Sequence, residues 1–213
     1  MELGRIYIFL EVSLLSQYQA SPRLGHLEVL YNVFAYLSKH PDMGRLVYDS
    51  KAPDVDKSAF IQGADWKNFY GDVEEELPPR MPEPRGSPVT ISAFVDADHV
   101  GNVVTRRSHT GIIIFDQNAP IIWLSKRQNT VEAATFGSEF VALTICKELI
   151  VALRYKLRMF GVPIEVLTNV FCENCGVVLN SSRPESTLQK KHNTINYHVV
   201  REAAAYGILR VGK

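Results

Sequence analysis

No hydrophobic run in this chain is long enough to cross a bilayer. The longest near the N-terminus, Ile6-Tyr7-Ile8-Phe9-Leu10, is broken by Glu11, whereas a spanning helix needs roughly 20 apolar residues. The same stretch lacks the basic start and the small-residue cleavage site of a secretory leader. Cysteine is scarce and odd in number, three in 213 residues, which excludes a fully paired disulfide framework. Together these absences predict an intracellular, cytoplasmic protein without a membrane partner. Net charge is absent too, with 23 Lys+Arg against 23 Asp+Glu, which excludes the strong basicity of a dedicated nucleic-acid binder. The charge that is present is unevenly divided. Residues 91–213 hold 14 Lys+Arg against 10 Asp+Glu, and residues 1–90 hold 9 against 13. A modestly basic C-terminal part is compatible with a polyanionic partner.

What is present divides into three stretches, with no internal repeat. Residues 1–48 read as a small helical segment. Ser21-Pro22 offers an N-cap hydroxyl and a proline at the first helical position, Leu27, Leu30, Tyr31, Phe34 and Leu37 recur at helical spacing, and Pro41 ends the run. Residues before Ser21 are expected to be helical and packed on that stripe. Residues 49–89 change texture. Glu74-Glu75-Glu76 precedes Pro78, Pro79, Pro82, Pro84 and Pro88, and such a segment is expected to be an extended connector, with Trp66, Phe69 and Tyr70 as its anchor.

Residues 90–213 predict an α/β domain of strand, hairpin, helix, strand, helix and strand. Thr90 to Val95 reads as the first strand, and residues 111–115 and 121–124 flank a turn-rich hairpin. A helix runs from Thr130 to Met159, with Gly161 and Pro163 beyond it. Val166 to Cys172 is a buried strand, residues 195–206 a last helix, and residues 208–211 a final strand.

Three acids mark this domain at the polar ends of otherwise apolar elements. Asp96 lies in Phe94-Val95-Asp96-Ala97-Asp98, Glu139 in Gly137-Ser138-Glu139-Phe140, and Glu173 closes Val170-Phe171-Cys172-Glu173-Asn174. Divalent metal ions give convergent carboxylates a purpose, because Mg²⁺ takes hard oxygen ligands and bridges to phosphate. Asp98 reads as a turn acid beside the site, its side chain expected to point away.

The residues between these acids carry a family resemblance. Val95-Asp96-Ala97-Asp98 with Gly101-Asn102, Arg107-Ser108-His109-Thr110-Gly111, Ser125-Lys126-Arg127-Gln128, Ser138-Glu139-Phe140-Val141-Ala142-Leu143, Phe171-Cys172-Glu173-Asn174, and Lys190-Lys191-His192 leading into Tyr197-His198-Val199-Val200-Arg201-Glu202 occur in order. In them the chain resembles the ribonuclease H domain of copia-type LTR retrotransposon polyproteins. Residues 1–48 are similar to the connection that follows the reverse transcriptase in the same polyproteins. No Tyr-x-Asp-Asp polymerase motif occurs.

The resemblance implies a ribonuclease H-like mixed sheet flanked by helices. It also implies a two-metal-ion endonuclease that hydrolyses the RNA strand of RNA–DNA hybrids. Asp96, Glu139 and Glu173 would be catalytic and metal-binding, with Thr194 at the position of a fourth ligand. The cofactor would be Mg²⁺, with Mn²⁺ as an alternative. Lys126, Arg127, Lys190 and Lys191 are the candidate phosphate contacts. The partners would be the hybrid and the reverse transcriptase portion of the polyprotein, within a virus-like particle where the element is active.

Two departures support a second reading, a catalytically degenerate nucleic-acid-binding or structural module. Glu173 stands where the family has Asp, and the extra methylene moves the carboxylate by roughly 1.5 Å; a misplacement of about 1 Å costs on the order of 100-fold in rate. Thr194 stands where the family has an Asp, so Asn193 and Thr194 offer only neutral oxygens. Glu202, two helical turns on, is a poor substitute. His192 and His198 are expected near the cleft or in packing roles. Cys172 and Cys175 form a Cys-x-x-Cys pair without the further ligands a zinc site needs, and Cys146 falls on an apolar helix face.

Overall fold

The computed structural model describes residues 5–41, 48–102, 104–188 and 191–213. The chain divides into two units, Met1–Tyr48 and Asp49–Lys213. The first holds α1 (Phe9–Ser16) and α2 (Leu24–Lys39), neither of which has a buried residue. Arg23, not Ser21, is the cap of α2. Its backbone N–H donates to Nδ1 of His26 at 3.1 Å, so Pro22 precedes the cap rather than opening the helix. The expected apolar stripe is exposed at Leu27, Leu30, Tyr31 and Phe34, because two short helices have too little surface to cover one another.

The second unit is built on a five-stranded sheet of β1 (Ile91–Asp98), β2 (His109–Asp116), β3 (Ala119–Arg127), β4 (Thr168–Cys172) and β5 (Leu209–Gly212), in the order β3-β2-β1-β4-β5. β1, β2 and β3 pair antiparallel, while β4 and β5 run parallel to β1. The long helix α4 (Thr135–Met159) links β3 to β4, and α5 (Cys175–Ser182) with α6 (Thr194–Ala205) links β4 to β5. The result is a mixed sheet flanked by helices, the arrangement that the resemblance implies.

Strand periodicity sends Ile91, Ala93, Val95 and Ala97 to the helix-covered face. There they join Ile112, Ile114, Val170, Phe140, Leu143, Ile150 and Val200 in one core. Gly161, at φ +74°, ends α4 by accepting the left-handed turn that a side chain would resist. The sequence reading missed α5; its signal was Asn174, whose side-chain oxygen accepts from the backbone N–H groups of Gly176 and Val177.

Residues 49–89 differ most from expectation. They include the short helix α3 (Lys67–Tyr70) and little other regular structure, yet they wrap the sheet domain as a belt. Asn118, in the β2–β3 turn, donates to Asp49 and to the Lys51 carbonyl. Phe60 is buried, bridges to Gly212 at the β5 edge and faces Phe171 at 5.3 Å between ring centres. Gly212 permits this approach, since a β-carbon there would lie 2.7 Å from the Ala59 carbonyl. Further on, Arg201 of α6 sits 5.0 Å over the Trp66 ring and donates to the Tyr70 hydroxyl. Glu75 then pairs with Arg154 and Arg158 of α4, both at 2.6 Å. The belt closes where Arg85 and Val89 donate to the carbonyls of Gly161 and Pro163. Proline-rich chain lacks its own ladder, but its remaining polar groups and aromatics found partners on the domain.

Candidate active site

The acids gather at one end of the central strands. β1 continues through Asp98, and a period of two places Asp96 and Asp98 on the same face, the one opposite the core. Asp98 therefore does not point away, as the sequence reading had it. Its carboxylate occupies the space a β-carbon on Gly101 would need, and it faces His109 across the β1–β2 pair. Asp96 is exposed and one of its oxygens accepts from the Ala97 backbone N–H at 2.8 Å. Glu173 is exposed and follows Cys172, the residue of β4 paired with Val95.

Glu139 is the buried member, 4% exposed in the second turn of α4. Burial, then the charge of Asp96, raises its carboxyl to about 7; Glu173 adds to the rise, while the Cys172 thiol and the Ala97 N–H oppose it. Cys172 donates to Glu139 Oε2 at 3.8 Å, a contact sequence reasoning did not find. The thiol is itself pushed up to about 12, by burial first, so it serves as a neutral donor. Cys175 is exposed beside Lys213, so the two thiols of the Cys-x-x-Cys pair serve different surroundings and the zinc reading is dropped.

Polar residues of the sheet hold the start of α4 in place. Gln128, at the end of β3, donates from Nε2 to the Ser138 carbonyl at 2.8 Å and to Thr110 Oγ1 at 3.0 Å. Gln128, together with Thr110, thus positions the turn that carries Glu139, one role for residues the sequence left without one.

Thr194 is exposed and its hydroxyl donates to the Lys191 carbonyl within its own turn; it supplies no charge to the acids. Glu202 acts on Tyr70, on the belt side, and His198 meets the same Tyr70 hydroxyl at 3.0 Å. Lys126 is exposed at the end of β3 beside the partly exposed Arg127, and Lys191 is exposed in the 3-10 turn before α6. Lys190 lies outside the described residues.

Carboxylate oxygens suit a hard divalent cation, and a buried acid raised by two neighbouring carboxylates is what such a cation relieves. Among the described residues, however, no three of His, Cys, Asp and Glu form a group that could hold a metal ion. Mg²⁺ is commonly held by one or two carboxylates together with substrate phosphate, so the residues fit an ion that arrives with a phosphodiester rather than a resident protein cage.

No family model matches the chain. It is similar in sequence to retrovirus-related Pol polyproteins of plant transposons. It is 24% identical over 200 residues to the one from transposon RE2 of Arabidopsis thaliana, covering 94% of this chain and 11% of that protein. It is 27% identical over 128 residues to the one from transposon TNT 1-94 of Nicotiana tabacum, covering 60% and 10%. The chain thus spans about a tenth of the length of the curated relatives it matches. Among solved structures, it resembles the N-terminal RNase H domain of a Mycobacterium tuberculosis protein at TM-score 0.41 and 14% identity, over 58% of this chain and 84% of that one. It resembles LC11-RNase H1 in complex with an RNA/DNA hybrid at TM-score 0.42 and 17% identity, over 57% and 83%.

Proposed function

We propose that this chain is the ribonuclease H portion of a copia-type retrotransposon polyprotein, acting with its reverse transcriptase on RNA–DNA hybrids and hydrolysing the RNA strand. The observation that carries the reading is Glu139, a buried carboxyl held near 7 by its own burial and by Asp96 and Glu173. Like charges gathered against a buried acid oppose folding, and such perturbed groups concentrate at functional sites. At neutral pH Glu139 can hold or release a proton, steadied by the Cys172 thiol. Asp96 and Glu173 present charged oxygens on the exposed side. Mg²⁺ or Mn²⁺ held by these carboxylates would supply stabilisation of the charge that develops on the phosphate.

The second reading, a module that binds hybrid or braces the polymerase without cutting, is favoured by position 194, where the hydroxyl is engaged in its own turn. A labelled RNA–DNA hybrid incubated with the chain in Mg²⁺ and in Mn²⁺, alongside Asp96→Asn, separates the two. Cleavage by the parent and none by the variant supports the hydrolase; hybrid binding without cleavage in either metal supports the module. Equal cleavage by the variant would remove the assigned site.

A further inference from the structure

The corner between the starts of α4 and α6 holds a group of polar residues apart from Asp96, Glu139 and Glu173. Asn193, the residue before α6, is completely buried, and neither its side-chain oxygen nor its nitrogen has a hydrogen-bond partner among the described residues. Glu132, on the loop before α4, buries Oε2 without a hydrogen bond as well, its side chain only 10% exposed. The two reach the same spot. A β-carbon on Gly137 would lie 3.1 Å from Asn193 Nδ2 and would collide with Glu132 Oε2. His192, about half exposed, brings Nε2 to 3.7 Å from the same Glu132 oxygen. Buried carboxylate and amide groups are costly without partners, and here the carboxylate, amide and imidazole leave a common point between them, with one side open through His192.

We propose that Glu132, His192 and Asn193 form a site for a borderline divalent cation of the zinc kind, separate from the acids around Glu139. An imidazole with a carboxylate selects such an ion, whereas Mg²⁺ and Ca²⁺ prefer oxygen alone. Two ligands each about 2.1 Å from one tetrahedral ion stand roughly 3.4 Å apart, close to the 3.7 Å seen between Glu132 and His192. The Asn193 amide, with both atoms unpaired, is free to present its oxygen. Gly137 is the residue that makes room. Water completes the coordination on the open side. The acids that act on Glu139 are Asp96 and Glu173, and Glu132 is not among them, so the site stands whether or not the chain cuts hybrids.

The test is calorimetric titration of the metal-stripped full chain with Zn²⁺, and with Mg²⁺ as a control, followed by thermal melts. One Zn²⁺ per chain is expected, with a rise in Tm that Mg²⁺ does not produce. Glu132→Gln and His192→Ala should each weaken Zn²⁺ binding by about tenfold or more, the reach of one lost ligand. Asp96→Asn should leave it unchanged. His192 is about half exposed, so its variant reports on binding even where Glu132→Gln perturbs folding. Absence of Zn²⁺ binding overturns the proposal, and a buried water is then what satisfies Asn193. Binding that survives both Glu132→Gln and His192→Ala, or that disappears with Asp96→Asn, overturns it equally.

Discussion

Glu139 shows how one residue converts position into chemistry. Its carboxyl is raised from 4.5 to about 7 by burial, Asp96 and Glu173, so the folded chain keeps a proton that the unfolded chain has already lost. The contribution to stability is therefore fully present below about pH 4.5 and is lost as pH rises through 7. Urea melts of the metal-free chain should show stability falling between pH 5 and pH 8, and Glu139→Gln should flatten that fall, recovering up to about 3 kcal/mol at pH 8. A parent profile as flat as that of the variant would show that Glu139 is not held buried against Asp96 and Glu173 in solution. The departures at positions 173 and 194 belong to the same scale. Glu173→Asp shortens one acid and Thr194→Asp adds another, and groups that serve one site rarely act independently. Hybrid cleavage should rise more in the double variant than the two single gains together, most clearly at low Mg²⁺. A well-folded double variant without activity in Mg²⁺ or Mn²⁺ would leave the non-catalytic module as the description.

At the scale of elements, the belt is secured to α4 by one acid and two bases. Glu75 is 15% exposed and its partners Arg154 and Arg158 are 3% and 9% exposed. Burial alone would raise the Glu75 carboxyl, but the hydrogen bonds and charges of the two guanidiniums outweigh it and hold it at about 2. The sign is the opposite of that for Glu139. The stability it contributes is present above about pH 4.5 and is lost as pH falls towards 2. Glu75→Gln leaves two buried cations without their counter-charge and should cost about 3–5 kcal/mol at pH 7, measured as a lower urea midpoint. A loss below about 1 kcal/mol, the size of a solvated surface pair, would mean that the clamp is not buried in solution. None of this was legible in residues 49–89, which have neither helical nor strand periodicity. By contrast α4, with its run of apolar positions, and the hairpin, with its turn residues, declared themselves, because each depends on contacts between near neighbours in the chain.

The whole molecule carries its candidate acids and bases at different places. Lys126 and Arg127 end β3, and Lys191 precedes α6, while the chain as a whole carries no net charge. For the proposed function, attraction to a hybrid would depend on local cations, and log affinity should fall linearly with log salt. Fluorescence polarisation of a labelled hybrid should show the slope reduced by roughly 0.7–0.9 for each of Lys126→Ala, Arg127→Ala and Lys191→Ala that removes a phosphate contact. Asp96→Asn should retain binding. Affinity indifferent to salt, or an unchanged slope in all three variants, would place the nucleic acid on another surface.

The order of strands and helices in residues 90–213, α5 apart, followed from the sequence alone, as did the choice of candidate acids. Hydrophobic periodicity is a local property, and the motif strings carried the family resemblance before any distance was known. Which acid is buried, however, was decided by tertiary structure: Asp96 and Glu173 are exposed, and Glu139 is brought to them, beside the Cys172 thiol, by the docking of α4 on β1. The same holds for the belt, whose clamp joins residues 79 and 83 positions apart, and for Asn193, Glu132 and Gly137, which only the approach of α6 to α4 brings to one point. Such pairings leave no periodic trace in the chain, because burial and charge act through space and take no account of sequence separation.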